Sequence, residues 1–135
     1  MANADIFARI LPDILRAIPF GRLFTCGRYR HFFDHGVDMF CIANLEGEFV
    51  DVNRAFCAAL GMDREELVGL RFMKLVHPDD VHKTIEAMEA LRQGADVIGF
   101  TNRYRVGSPT SAVFVGLEWK ARANGKIFAT ARVVG

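Results

Sequence analysis

MFCIANLEGEFVDVNRAFCAALGMDREELVG, residues 39–69, carries the signals that decide the fold. Met39–Asn44 is a short apolar run and Phe49–Val52 is another. Glu46-Gly47 offers a turn between them, so the pair reads as a β-hairpin. Asn53 follows at once, and its side-chain oxygen suits the N-cap of a helix over Arg54–Leu60. Gly61 is placed to end that helix in the left-handed conformation. Asp63 and Glu66 stand at capping-box spacing and start a second short helix that buries Leu67 and stops at Gly69.

The pattern continues outward in both directions. Phe72–Val76 is one further helical turn. His77-Pro78-Asp79-Asp80 opens the longest helix, to about Gln93, with proline at its first position and two acids at the positive end of its dipole. Val81, Ile85, Met88 and Leu91 form its expected core stripe. Val97–Val106 then alternates, with Ile98, Phe100, Asn102, Tyr104 and Val106 on one face. Ser111–Ala123 does the same with Val113, Val115, Leu117, Trp119 and Ala121. Asn124-Gly125, the strongest short-range hairpin signal in the chain, leads into Ile127–Val134. Upstream, residues 4–18 carry an apolar stripe from Ile6 to Ile18, interrupted at Pro12, and Arg28–Asp34 is a second helical piece. Two strands, small helices, one longer helix and three strands make an α+β domain with an antiparallel sheet and its helices on one side.

Composition narrows the function. The 135 residues suit one domain, and a net charge of +1 leaves no basic footprint for nucleic acid. Five arginines against two aspartates in residues 1–33 read as a solvated helix face. Cys26, Cys41 and Cys57 form no CxxC pair, which argues against zinc or a disulfide framework and fits reduced thiols in a cytoplasmic setting. No run reaches membrane-spanning length, and the N-terminus lacks an apolar secretory core. The chain stops directly after a strand, as a piece of a longer protein would.

The pieces Phe33-Asp34, Met39–Ala43, Glu46-Gly47, Val52–Phe56, Leu60-Gly61, Glu65–Gly69, Val76–Asp80, Asn102–Arg105 and Leu117–Trp119, in that order, resemble a PAS domain. The branch is the one found in bacterial sensor histidine kinases and diguanylate cyclases. The resemblance implies a five-stranded antiparallel sheet with small helices on one face. It implies a helical cap over 1–33 that serves dimerisation, and a PAS domain over 34–135. The implied function is sensing and relay: a small ligand between sheet and helices, with output through a kinase or cyclase module. A ligand-free dimerisation module is the alternative. The chain departs from the family at Gly107-Ser108-Pro109-Thr110, where an Asp-Gly turn is usual. Near Phe72, where blue-light flavin members carry a reactive cysteine, there is none.

Candidate ligand-contacting residues are Phe40, Phe56, Leu60, Phe72, Ile85, Asn102, Tyr104 and Trp119. The same aromatics would serve equally as a packed core. Asn102 and Tyr104 are the polar groups on an otherwise apolar strand face and are the best candidates for recognition. His82 lies off the helix stripe, so haem is not expected, and neither is a flavin adduct. His77, Asp79 and Asp80 would be the acid and base of an enzyme, but capping chemistry explains all three. Catalysis is not expected.

Overall fold

The computed structural model describes residues 27–135. The helical stripe expected over residues 4–18 and interrupted at Pro12, and Cys26, lie outside the described residues. Packing divides the chain between Phe33 and Asp34.

The described elements are α1 (Gly27–His35), β1 (Met39–Ala43), β2 (Phe49–Val52), α2 (Arg54–Leu60) and α3 (Arg64–Leu67). Two 3-10 turns follow, Phe72–Lys74 and Pro78–Asp80, then α4 (Val81–Arg92), β3 (Val97–Arg105), β4 (Phe114–Asn124) and β5 (Lys126–Val134). The strands form one antiparallel sheet in the order β2-β1-β5-β4-β3. The core lies on one face, where Phe49, Val52, Phe56, Leu60, Leu75 and Leu117 are sealed from solvent.

Local chemistry builds the hairpin–helix unit. Asn53 is fully buried and its oxygen accepts from the Phe56 N–H at 3.1 Å, which caps α2. The same oxygen accepts from the Phe40 N–H at 2.9 Å, and its amide donates to the Asp38 carbonyl at 2.8 Å. Asn53 therefore ties the end of β2 to the start of β1 as well as opening a helix. Gly61 ends α2 at φ 62°, a left-handed geometry that β-carbons disfavour. The Glu66 carboxylate reaches back to the Asp63 N–H at 3.1 Å.

Part of each sheet edge is covered by the chain's own backbone. Along β2, the Phe49 N–H donates to the Leu70 carbonyl and the Gly69 N–H to the Phe49 carbonyl. Along β3, the His77 N–H donates to Arg103 and the Arg105 N–H to Leu75. Covered edges remove the templates for uncontrolled strand pairing.

Three side chains depart from the expected faces. Gly99, at φ 74°, forms a bulge that shifts the β3 register between Ile98 and Phe100. One extra residue reverses the alternation. Ile98 therefore points outward, 75% exposed, while Phe100 packs on the core. On α4 the buried stripe is Thr84, Met88 and Leu91, so Ile85 is turned out. Val113 lies outside β4 and is exposed.

Replacing Asn53 by alanine should cost about 2–4 kcal/mol, because it removes a cap and leaves the part-buried Phe40 N–H and Asp38 carbonyl without their partner. Urea denaturation followed by circular dichroism measures it, and a loss under 1 kcal/mol would show that Asn53 acts as a cap alone.

Candidate functional site

The inner face of the sheet and α4 do not close completely. Between them lies a cavity of about 60 Å³, nearly all apolar. Drug-sized sites run to about 300–1,000 Å³. A haem or flavin would therefore require α4 to move, whereas a small molecule or a few waters would not.

Of the expected contact residues, Phe72, Asn102, Tyr104 and Trp119 line the cavity. Phe56 and Leu60 are fully buried in the core beside it; the Phe56 ring centroid is 6.1 Å from that of Trp119. Phe40 and Ile85 do not reach it. Phe40 alternates with Met39 and Cys41 along β1, which places it on the opposite sheet face. Ile85 is on the solvent side of α4. In their stead the structure brings in Cys41, Thr84, Met88 and Phe100. Strand parity would have chosen Cys41 over Phe40. Thr84 carried a signal too: its hydroxyl stands four residues after Asp80 and bonds that carbonyl.

A chain of buried hydrogen bonds crosses the cavity wall. Trp119 Nε1 donates to Asn102 Oδ1 at 2.8 Å, and Asn102 Nδ2 donates to Thr84 Oγ1 at 3.1 Å. Thr84 Oγ1 in turn donates to the Asp80 carbonyl at 2.7 Å. The Trp119, Asn102 and Thr84 side-chain polar atoms in this series of bonds each have a partner, as burial demands. Tyr104 stacks on Trp119 with centroids 5.3 Å apart. Burial raises its hydroxyl well above the ordinary value of 10. Burial likewise pushes the Cys41 thiol up to about 12, which leaves it protonated and a poor nucleophile. The Cys57 thiol, half-buried, is raised as well.

The chain ends on an ion pair that the sequence did not reveal. Asp80 is 5% exposed and receives three bonds from Arg103: the backbone N–H at 2.8 Å, Nε at 2.9 Å and Nη2 at 2.9 Å. The Arg103 bonds hold the Asp80 carboxyl at about 2, below its ordinary 3.8, and Lys83 adds to the effect. The residues considered for acid–base chemistry are thus engaged structurally. His77 Nδ1 accepts from the Asp79 N–H at 3.0 Å, and Asp80 is committed to Arg103. His82 pairs with Glu86 at 2.9 Å, 88% exposed and away from the cavity. Among the described residues, no cluster of three His, Cys, Asp or Glu side chains could hold a metal ion.

This architecture is a five-stranded antiparallel sheet with helices packed on one face and a hollow beneath α4, and it defines an α+β domain class. The family model of the PAS domain matches residues 37–128, and the chain belongs to that family. It is similar to a domain of a sensory box sensor histidine kinase/response regulator from Geobacter sulfurreducens: 26% identity, TM-score 0.67, covering 82% of this chain and 96% of that one. A PAS domain of an HTR-like protein from Haloarcula marismortui matches at 21% identity and TM-score 0.67, covering 84% and 96%. The probable diguanylate cyclase DgcE of Escherichia coli (strain K12) is 32% identical over 66 residues, 49% of this chain. The match spans 6% of that relative's length. The chain is thus a PAS domain of the kind carried by sensor signalling proteins, a family that is generally sensory and non-catalytic. No helix among the described residues is long and apolar enough to cross a membrane.

The depressed carboxyl fixes a pH dependence. Asp80 contributes stability that is complete above about pH 3.8 and is lost as pH falls through about 2. With its partner 46% exposed to solvent, the pair is worth less than a sealed one. Asp80→Asn should therefore lower stability by about 1–3 kcal/mol at pH 7, and the gap from the parent should close between pH 4 and 2. Urea titrations across that range test it; a gap independent of pH would remove the charge from the account.

Proposed function

We propose that this domain is a sensor that holds a small, mostly apolar molecule in the cavity between the sheet and α4. One observation carries the reading: the cavity is apolar except where Asn102, Thr84 and Tyr104 face it, and the Tyr104 hydroxyl has no hydrogen-bond partner among the described residues. An apolar hollow with a few convergent polar groups is the ordinary form of a small-molecule site. Tyr104 is free to bond a ligand, while Asn102 would have to exchange a bond to do so. Phe72, Tyr104 and Trp119 would contact its apolar part.

A route for relay follows from the same bonds. A ligand that competes for Asn102 weakens its hold on Thr84 and, through the Asp80 carbonyl, disturbs the turn that carries the Asp80–Arg103 pair. Arg103 extends to the exposed side of β3. Occupancy in the core is thereby coupled to the outer surface. The output is a kinase or cyclase module elsewhere in a longer cytoplasmic protein, in keeping with the relatives, and the domain itself performs no catalysis. Residues 1–33, with their stripe from Ile6 to Ile18, form the cap through which two copies pair. The second reading, a ligand-free dimerisation module, draws on the small size of the cavity.

Native mass spectrometry of the freshly purified chain, with its absorption spectrum, separates the two readings. A retained small mass that denaturation releases supports the sensor. A clean apo dimer that Ile10→Glu dissociates, with no retained mass at any step, overturns it in favour of the dimerisation module.

A further inference from the structure

The cavity has a neighbour. A second hollow, about 170 Å³, opens at the surface between the β1–β2 turn, the first 3-10 turn and α4. Phe72 and Met88 line both hollows and therefore stand where the two adjoin. A phenyl ring and a thioether chain make a soft partition, since both swing by rotamer changes. The backbone around them is fixed. The Phe72 N–H donates to the Gly47 carbonyl at 3.0 Å. Arg92 Nε and Nη2 both donate to the Leu45 carbonyl, at 3.0 and 2.8 Å. Any opening between the hollows therefore falls to rotation of the Phe72 and Met88 side chains.

The outer hollow differs in chemistry from the inner one. Met73 and the half-exposed Ile85 give it an apolar floor. Its charged groups are Arg71, Arg92 and Glu46. Arg92 is engaged with Leu45 and lies 3.6 Å from Glu89. The Arg71 carbonyl accepts from the Lys74 N–H, but its side chain makes no hydrogen bond or ion pair among the described residues, so its guanidinium is available to an anion. Glu46 is the one acid on this lining, and two guanidiniums outweigh it. A carboxylate would not pass into the apolar inner cavity, because an unpaired charge loses too much hydration there. An apolar tail would gain by going in. The two hollows thus impose an orientation, tail inward and head at the mouth.

We propose that the two hollows together form one bipartite site for a small amphipathic carboxylate, whose apolar tail passes between Phe72 and Met88 while its carboxylate rests on Arg71. This rests on the cavity reading above and adds the ligand's class and its entry route.

Trp119 is the sole tryptophan of the chain and lines the inner cavity, so its fluorescence reports whether a tail has arrived. The full chain is titrated with octanoate and, separately, with 1-octanol. Saturable octanoate binding should shift the Trp119 emission. Arg71→Gln should weaken octanoate about tenfold and leave octanol unchanged, as the loss of one charge-assisted contact requires. Arg71 is exposed, so this variant does not threaten the fold. Phe72→Leu should speed octanoate association several-fold in stopped flow if the ring is the gate. Equal binding of octanoate and octanol, indifferent to Arg71→Gln, would overturn the head-group site while leaving the cavity reading intact. Octanoate binding seen by calorimetry without a Trp119 response would place the tail outside and overturn the bipartite site. No binding of either compound would overturn it too, and the cavity reading would then stand or fall on the retained-mass experiment alone.

Discussion

A carboxamide sealed beneath a sheet must be bonded at both ends, and Asn102 meets that demand with Trp119 on one side and Thr84 on the other. The rest of the site follows from this constraint. Thr84 has to face inward for its hydroxyl to reach Asn102, so α4 is rotated about its axis and Ile85 faces out. Without that bond, the more apolar stripe through Ile85 would be the cheaper surface to bury. The distance between helix and sheet is then set by two polar side chains rather than by the closest fit of aliphatic ones. A gap held by hydrogen bonds leaves a hollow beside it, and the small residues Ala121 and Ala129 on the sheet side do not fill it.

The second constraint acts on the edges. The segments Gly69–Phe72 and Leu75–His77 bond along β2 and β3 with their backbones, so neither edge is free for strand addition at those positions. The outward-pointing Ile98 and Val133 leave apolar surface on or beside that sheet. This is a consequence of the Gly99 bulge as much as of composition: had β3 kept strict alternation, Ile98 would sit with Phe100 in the core.

What could be read from the sequence was what local chemistry decides. Asn53, Gly61, the Glu66 arm of the capping box and the turn at Asn124-Gly125 each declare themselves within a few residues, and each acts as its residue type dictates. The five strands and their antiparallel sense came from the same level of signal. The site was legible only in part, since Phe72, Asn102, Tyr104 and Trp119 line the cavity while Phe40 and Ile85 do not. Each miss has a physical cause. Phe40 is the bulkier member of an alternating pair, and bulk does not determine which parity faces the helices. Ile85 lost its place to a hydroxyl that is valuable only because of a partner 18 residues away. The Asp80–Arg103 pair spans 23 residues, and at that separation two charges in a sequence carry no sign that they will meet.

Asp80 is where the local and the distant meet. Its position ahead of α4 explains it as an acid at the start of a helix, and that explanation is sufficient for the sequence but not for the structure. The carboxylate grips β3 from the edge while the carbonyl of the same residue accepts from Thr84 inside. One residue therefore terminates both the buried bond chain and the surface ion pair. A ligand moves a protein between states only by the difference in its affinity for them. In this fold the groups able to generate such a difference are few. The apolar walls bind a tail alike in any rotamer that admits it, whereas the bonds of Asn102 and Thr84 are directional and are either kept or lost. The capacity to switch thus resides in the same polar pair that prevents the core from closing.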